Sequence, residues 1–180
     1  MPATPSSMVP IGTQIPSFSL ASASGEQWST SSDSAGMLVV FMCNHCPFVV
    51  HVASTLVQVH ALCKSNSISM VGINSNNIQT HPDDAPDKMI LCAQKYGWEF
   101  PYLFDETQET AKAFAATCTP DAFLYDSDGK LYYRGQFDDS RPNQGNSDGS
   151  DLKNAIHAMV SSDPPPEDQL PSIGCNIKWK

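Results

Sequence analysis

The run Met37-Leu38-Val39-Val40-Phe41-Met42 is apolar throughout, with no polar alternation. That pattern predicts a central strand covered on both faces. After it, Phe48, Val49, Val52, Leu56, Val59 and Leu62 recur at steps of three and four, with Ser54, Thr55 and Gln58 between them, predicting an amphipathic helix. Pro47 sits near its start, where a missing N–H removes no intrahelical bond. Ile68 to Ile73 reads as a second buried strand and Asp83 to Tyr96 as a helix closed by Gly97. Strand, helix, strand, helix in that order predicts a right-handed parallel crossover.

Around this centre, residues 14–29 carry two apolar stretches flanking a Ser-Gly turn, which predicts a small hairpin. Trp98 to Phe104 reads as a strand or extended loop, and Thr107 to Thr117 as a short Ala-rich helix. Asp121 to Tyr125 and Leu131 to Phe137 flank Asp126-Ser127-Asp128-Gly129, the signature of an antiparallel hairpin. Residues 138–150 are polar and Gly-rich, and Asp151 to Val160 forms a last helix. Pro164-Pro165-Pro166 then opens an extended tail. The Ser-rich stretch 29–34 reads as a solvated loop. The sum is one α/β domain over residues 1–180, with an N-terminal extension (1–13), a mixed sheet flanked by helices and a C-terminal tail (161–180).

A formal charge of -9, from 19 acidic and 10 basic residues, argues against a nucleic-acid or anionic-membrane surface, because both are bound through clustered Lys and Arg. Proteins or small molecules are the expected partners. The first residues lack both the basic and the apolar region of a secretory signal, and no segment approaches bilayer-spanning length. The expectation is a soluble protein of the cytoplasm or an organellar stroma.

Of the six cysteines only Cys43 and Cys46 are close in sequence. A Cys-x-x-Cys where a buried strand passes into a helix has a chemical logic, because a helix N-terminus stabilises a thiolate and the thiolate is the nucleophile. The expectation is that Cys43 attacks and Cys46, one turn on, resolves the mixed disulfide. A protonated His45 between them would lower the Cys43 pKa; otherwise it is a solvent-facing histidine. The rival reading of the pair is a structural metal site, but zinc takes four ligands and no second close Cys/His pair exists. No metal and no cofactor is expected. Thr119-Pro120 stands before the apolar strand at 121–125, where a proline denies a ladder donor and suggests a special backbone geometry. By frequency alone that bond would be trans.

Phe41-Met42-Cys43-Asn44-His45-Cys46-Pro47-Phe48-Val49, with Thr119-Pro120-Asp121 and Tyr133-Arg134-Gly135-Gln136, resembles the thioredoxin-like redoxins related to peroxiredoxins, over roughly residues 10–160. Asp138 to Pro142 and Gly174 to Trp179 resemble a subgroup described as thioredoxin-family or alkyl hydroperoxide reductase-like. The resemblance implies a thioredoxin fold, a cis Pro120 facing the disulfide, and a Thr119 backbone free to hold a substrate strand. It implies a thiol-disulfide oxidoreductase acting on protein disulfides or thioredoxin-like partners. It also makes a peroxidase acting on hydroperoxides concrete, since Cys46-Pro47 matches the peroxide-attacking cysteine of peroxiredoxins. Against that, Cys43 stands where those enzymes have Thr, and Pro120 where they have Arg; Arg134 and Arg141 are the arginines left to approach.

Cys118, beside Thr119, is either a buried filler or an extra resolving thiol, and Cys175 either part of an ordered tail or a third redox thiol folded back toward the pair. Cys63 and Cys92 read as core. His51, His60, His81 and His157 lack ligand spacing, and Trp28, Trp98 and Trp179 read as packing residues. From a different class of function, Cys43, Cys46 and a nearby histidine could form a non-catalytic site for copper(I), which favours thiolates.

Overall fold

The computed structural model describes residues 3–31 and 33–180; Met1 and Pro2 of the N-terminal extension and Ser32 of the Ser-rich stretch lie outside them. Its elements are β1 (Ala3–Pro5), β2 (Ser19–Ala21), β3 (Gln27–Ser29), β4 (Gly36–Phe41), α1 (Pro47–His51), α2 (Ala53–Ser65), β5 (Ile68–Asn74), a 3-10 turn (Pro82–Asp84), α3 (Pro86–Tyr96), β6 (Tyr102–Phe104), α4 (Glu109–Ala113), β7 (Cys118–Thr119), β8 (Asp121–Asp126), β9 (Leu131–Gly135), α5 (Ser150–Val160) and β10 (Ile173–Asn176).

The central sheet runs β6-β5-β4-β8-β9. β4, β5 and β6 are parallel, while β8 and β9 are antiparallel to their neighbours, giving the mixed sheet the pattern predicts. Alternate side chains of β4 feed two cores. Leu38 and Val40 pack with Leu56, Met89 and Ile156 under α2, α3 and α5, whereas Met37, Val39 and Phe41 pack with Phe114, Phe123 and Tyr125 under α4. Every β4 residue is buried, as its unbroken apolar run requires.

The predicted helix after Cys46 is broken in two. Val52 leaves helical geometry and its N–H bonds to Val49 O at 3.2 Å, a tightened three-residue step between α1 and α2. The predicted helix at 107–117 shrinks to Glu109–Ala113, because Phe114 plugs an aromatic cluster with Phe18, Phe41 and Phe123 and Ala115 turns into the left-handed region, redirecting the chain into β7. Gly97 does close α3, at φ 72°.

The tail departs most from expectation. β10 pairs antiparallel with both β1 and β7, joining the two ends of the described chain into a second, three-stranded sheet. Residues 138–150 are also more ordered than a solvated loop. Asp138 is buried and accepts hydrogen bonds from Ser140, Ser147 and the Asp148 and Gly149 amides. Among the described residues, no helix is long and apolar enough to cross a membrane.

Candidate active site

β4 ends at Phe41 and the chain reaches Cys46 before the first helical turn, so Cys46 is the N-cap residue of α1 and Pro47 its first helical residue. Cys43 lies a step outside the helix. This placement changes the electrostatics expected of the pair, because the stabilisation of a charge at a helix start falls off within the first turn.

Cys43 and Cys46 are each 1% exposed, and their sulfurs meet at Thr119. Cys43 Sγ is 3.6 Å from Thr119 Oγ1, and Cys46 Sγ is 3.3 Å from the Thr119 carbonyl oxygen, to which its protonated form donates. The Thr119-Pro120 bond that presents this carbonyl is cis, as the family resemblance implies. The Cys46 pKa is lowered to about 5 by a hydrogen bond from Cys43 that outweighs the cost of burial, with further help from Cys175, Thr119 and the Val49 backbone. Cys43 is held well above the ordinary thiol value, by sharing its proton with Cys46, by burial and by the facing Asp84 charge. Within the pair the lowering falls on Cys46, where the sequence led to the expectation of a lowered Cys43.

The Cys43–Cys46 segment is fastened from outside. Asp84, wholly buried, accepts the Asn44 N–H at 2.9 Å, pairs with His45 Nδ1 at 3.0 Å and accepts Asn76 Nδ2 at 2.8 Å. Asn44 also donates to the Asp83 carbonyl oxygen and accepts from the Tyr102 hydroxyl, each at 2.9 Å. His45, 31% exposed, is thus turned to Asp84 and stacks on His81 at 5.8 Å. A protonated His45 forms an ion pair there, so it offers Cys43 no uncompensated positive charge.

Removal of the Asp84 carboxylate strands one backbone and two side-chain donors, and Asp84→Ala is expected to cost about 3 kcal/mol of unfolding free energy. Urea unfolding of the reduced protein checks it; a loss within the few tenths typical of a surface change would contradict the fastening role.

Asp84 was missed in the sequence because nothing near Cys43 points to a turn some 40 residues on. The signal available was Asn74, Ser75, Asn76 and Asn77, a polar cluster closing an otherwise apolar strand, all buried and needing partners. Cys43, His45 and Asp84 each place one potential ligand atom within 4.8 Å of the others. Asp84 already serves the three donors above, so an ion there would compete with the bonds that hold the segment.

The remaining candidates are distributed as follows. Cys118 is buried, and burial, with the nearby Asp121 charge, raises its pKa far up. Asp121 itself is wholly buried, and neither carboxyl oxygen has a hydrogen-bond partner. Cys175 is buried in the same cluster as Cys43 and Cys46, facing Thr119 across the β7–β10 ladder. Thr119 is therefore present at the site as expected, but its strand edge is already paired. Neither arginine reaches the sulfurs. Arg134 is bonded to Gln169 Oε1 at 2.9 Å, and Arg141, at a small cleft beside Pro120, is spent on the Ser140 carbonyl oxygen and Gln136 Oε1.

The chain resembles an uncharacterized conserved protein from Geobacillus kaustophilus, with 46% identity and a TM-score of 0.96 over 100% of this chain and 97% of that one. A hypothetical protein from Sinorhizobium meliloti 1021 is 40% identical, with a TM-score of 0.95 over 98% of each. A secreted Mycobacterium tuberculosis disulfide oxidoreductase homologous to E. coli DsbE shares the fold at 21% identity and a TM-score of 0.62, over 78% of this chain and 95% of that one. No curated protein sequence matches. The AhpC/TSA profile covers residues 11–134, the stretch that builds the central sheet, the Cys43–Cys46 segment and cis Pro120, and the chain thus belongs to the AhpC/TSA family of thioredoxin-fold redoxins.

Proposed function

We propose that the protein is a thiol-disulfide oxidoreductase working through a Cys43–Cys46 couple, with Cys46 as the nucleophile and Cys43 as the resolving thiol. The observation that carries this is the convergence of the two buried sulfurs on Thr119, with the lowered pKa on the helix-capping member. The Cys46 thiolate attacks one sulfur of a substrate disulfide, and the other leaves as a thiolate. With Cys46 bonded, the charge beside Cys43 is gone and its proton is released to the leaving group. Cys43 then attacks Cys46 Sγ, forming the internal disulfide and freeing the second substrate thiol. The substrate gains two electrons, and the reverse sequence oxidises a dithiol. Protein disulfides or a thioredoxin-like partner are the substrate class.

Peroxide reduction is the second reading, favoured by the same observation, since a low-pKa Cys46 followed by Pro47 matches the peroxiredoxin pattern. The absence of an arginine contact at the sulfurs weighs against it.

Intact mass before and after mild reductant should change by two hydrogens, with the change abolished in Cys46→Ser, and insulin disulfides should be reduced faster than hydroperoxide is consumed. A redox-silent, metal-loaded protein would overturn the reading. Fast hydroperoxide consumption that survives the loss of Cys43 would transfer it to peroxidase.

A further inference from the structure

We propose that Cys175 is a third redox thiol, exchanging with Cys43 for the bond to Cys46, and that β10 fills the Thr119 edge as an internal substrate strand. The proposal rests on the Cys43–Cys46 reading above.

The geometry begins with register. Cys175 lies directly opposite Thr119 in the antiparallel β7–β10 pair, and side chains at opposed positions project from the same face, roughly 5 Å apart at Cβ. Thr119 is the residue that both active sulfurs touch, so a thiol opposite it is delivered to the same spot. Cys175 lies in the same buried cluster as Cys46 and lowers its pKa, while burial pushes the Cys175 thiol itself up to about 12, so Cys175 keeps its proton beside Cys46.

The approach of β10 is as close as a backbone permits. A Cβ on Gly174 would collide with the Thr119 carbonyl oxygen, the atom beside Cys46 Sγ. The strand is held on both sides of Cys175: Ser172 N–H donates to Ser6 Oγ at 3.0 Å, Ile177 N–H to Thr117 O at 3.1 Å and Lys178 N–H to Asn76 Oδ1 at 2.9 Å. The last bond ties the tail to the residue that also holds Asp84. A protein substrate that adds a strand at Thr119 has first to displace β10.

The exchange balances without an added oxidant. From the oxidised pair, the Cys175 sulfur attacks Cys46 Sγ, the Cys43–Cys46 bond breaks, and the proton lost by Cys175 is taken up by Cys43. The products are a Cys46–Cys175 disulfide and a Cys43 thiol, with no net change in oxidation state.

The test uses the full chain with Cys43→Ser, so that only Cys175 can resolve Cys46. One equivalent of oxidised glutathione, trapped at intervals by alkylation and mapped by mass spectrometry, should give a transient glutathione adduct on Cys46 that converts to Cys46–Cys175. The adduct should disappear at least about tenfold faster than in Cys43→Ser/Cys175→Ser, where it persists. Gly174→Ala in the Cys43→Ser background should slow the conversion while leaving adduct formation intact; if that variant fails to fold, the Cys175→Ser comparison alone decides. An adduct with equal lifetimes in both proteins, or a bond from Cys46 to Cys118, overturns the role of Cys175 and leaves the Cys43–Cys46 reading standing. No reaction at Cys46 in any variant overturns both.

Discussion

Cys46→Ser is expected to lower disulfide-exchange turnover by roughly 10³-fold or more, because it removes the nucleophile and leaves a hydroxyl that stays protonated at every working pH. Cys43→Ser should behave differently. It keeps the attacking sulfur but strips the S–H donor that is the first cause of its lowered pKa, so attack survives while turnover falls to what Cys175 can resolve. Following thiolate absorbance in the ultraviolet, the wild type should ionise one thiol near pH 5, and Cys43→Ser should ionise it at a clearly higher pH. The linkage has a definite sign. The folded-state pKa lies below the ordinary thiol value of 9.0, so this group's contribution to the stability of the reduced protein is complete above 9.0 and is lost as pH falls through about 5. An activity that survives Cys46→Ser and fails in Cys43→Ser would return the nucleophile to Cys43.

Asp121→Asn is expected to stabilise the protein increasingly as the pH rises. Burial holds the Asp121 carboxyl well above the ordinary value of 3.8. The folded state then keeps a proton that the unfolded chain has released, and stability falls with rising pH by about 1.4 kcal/mol per unit, from 3.8 up to the folded-state pKa. Asparagine at the same volume does not titrate, so the variant should gain on the wild type across that window. Urea unfolding at about pH 5 and about pH 7 measures the difference. The test lies in the slope, since a constant offset between amide and carboxyl cancels; parallel stability curves would mean that Asp121 is charged in the fold.

The sequence made the frame legible where one local pattern dominated. β4 and β5 could be read because a strand covered on both faces needs no polar residue, and α3 because Gly97 supplies a left-handed close. Cys43 and Cys46 could be found because the chemistry of the pair depends on spacing. Their unequal pKa values could not, because they depend on how the two thiols meet in the fold, with Cys46 as the N-cap of a helix that begins at Pro47, and on a carboxylate from a distant turn. The same holds for β10. Ile173 to Asn176 carries no strong strand pattern, and its place is set by the edges of β1 and β7, a tertiary effect that outweighs local preference. Asp84, Asp121 and Asp138 look in sequence like ordinary surface acids; what distinguishes them is burial, which only the assembled fold imposes.

The β1–β10 ladder also fixes how the molecule answers a mechanical load. Ala3 faces Cys175 and Pro5 faces Ile173, so the chain enters β1 and leaves β10 at the same end of the ladder. Tension applied between the termini acts on this pair as on a zipper, one rung at a time, instead of shearing all rungs together. The rung nearest the load is the one that carries Cys175. A pull on the N-terminal side therefore peels β1 from β10 first, while β10 stays paired to β7 across Thr119 and tied to Asn76 through Lys178.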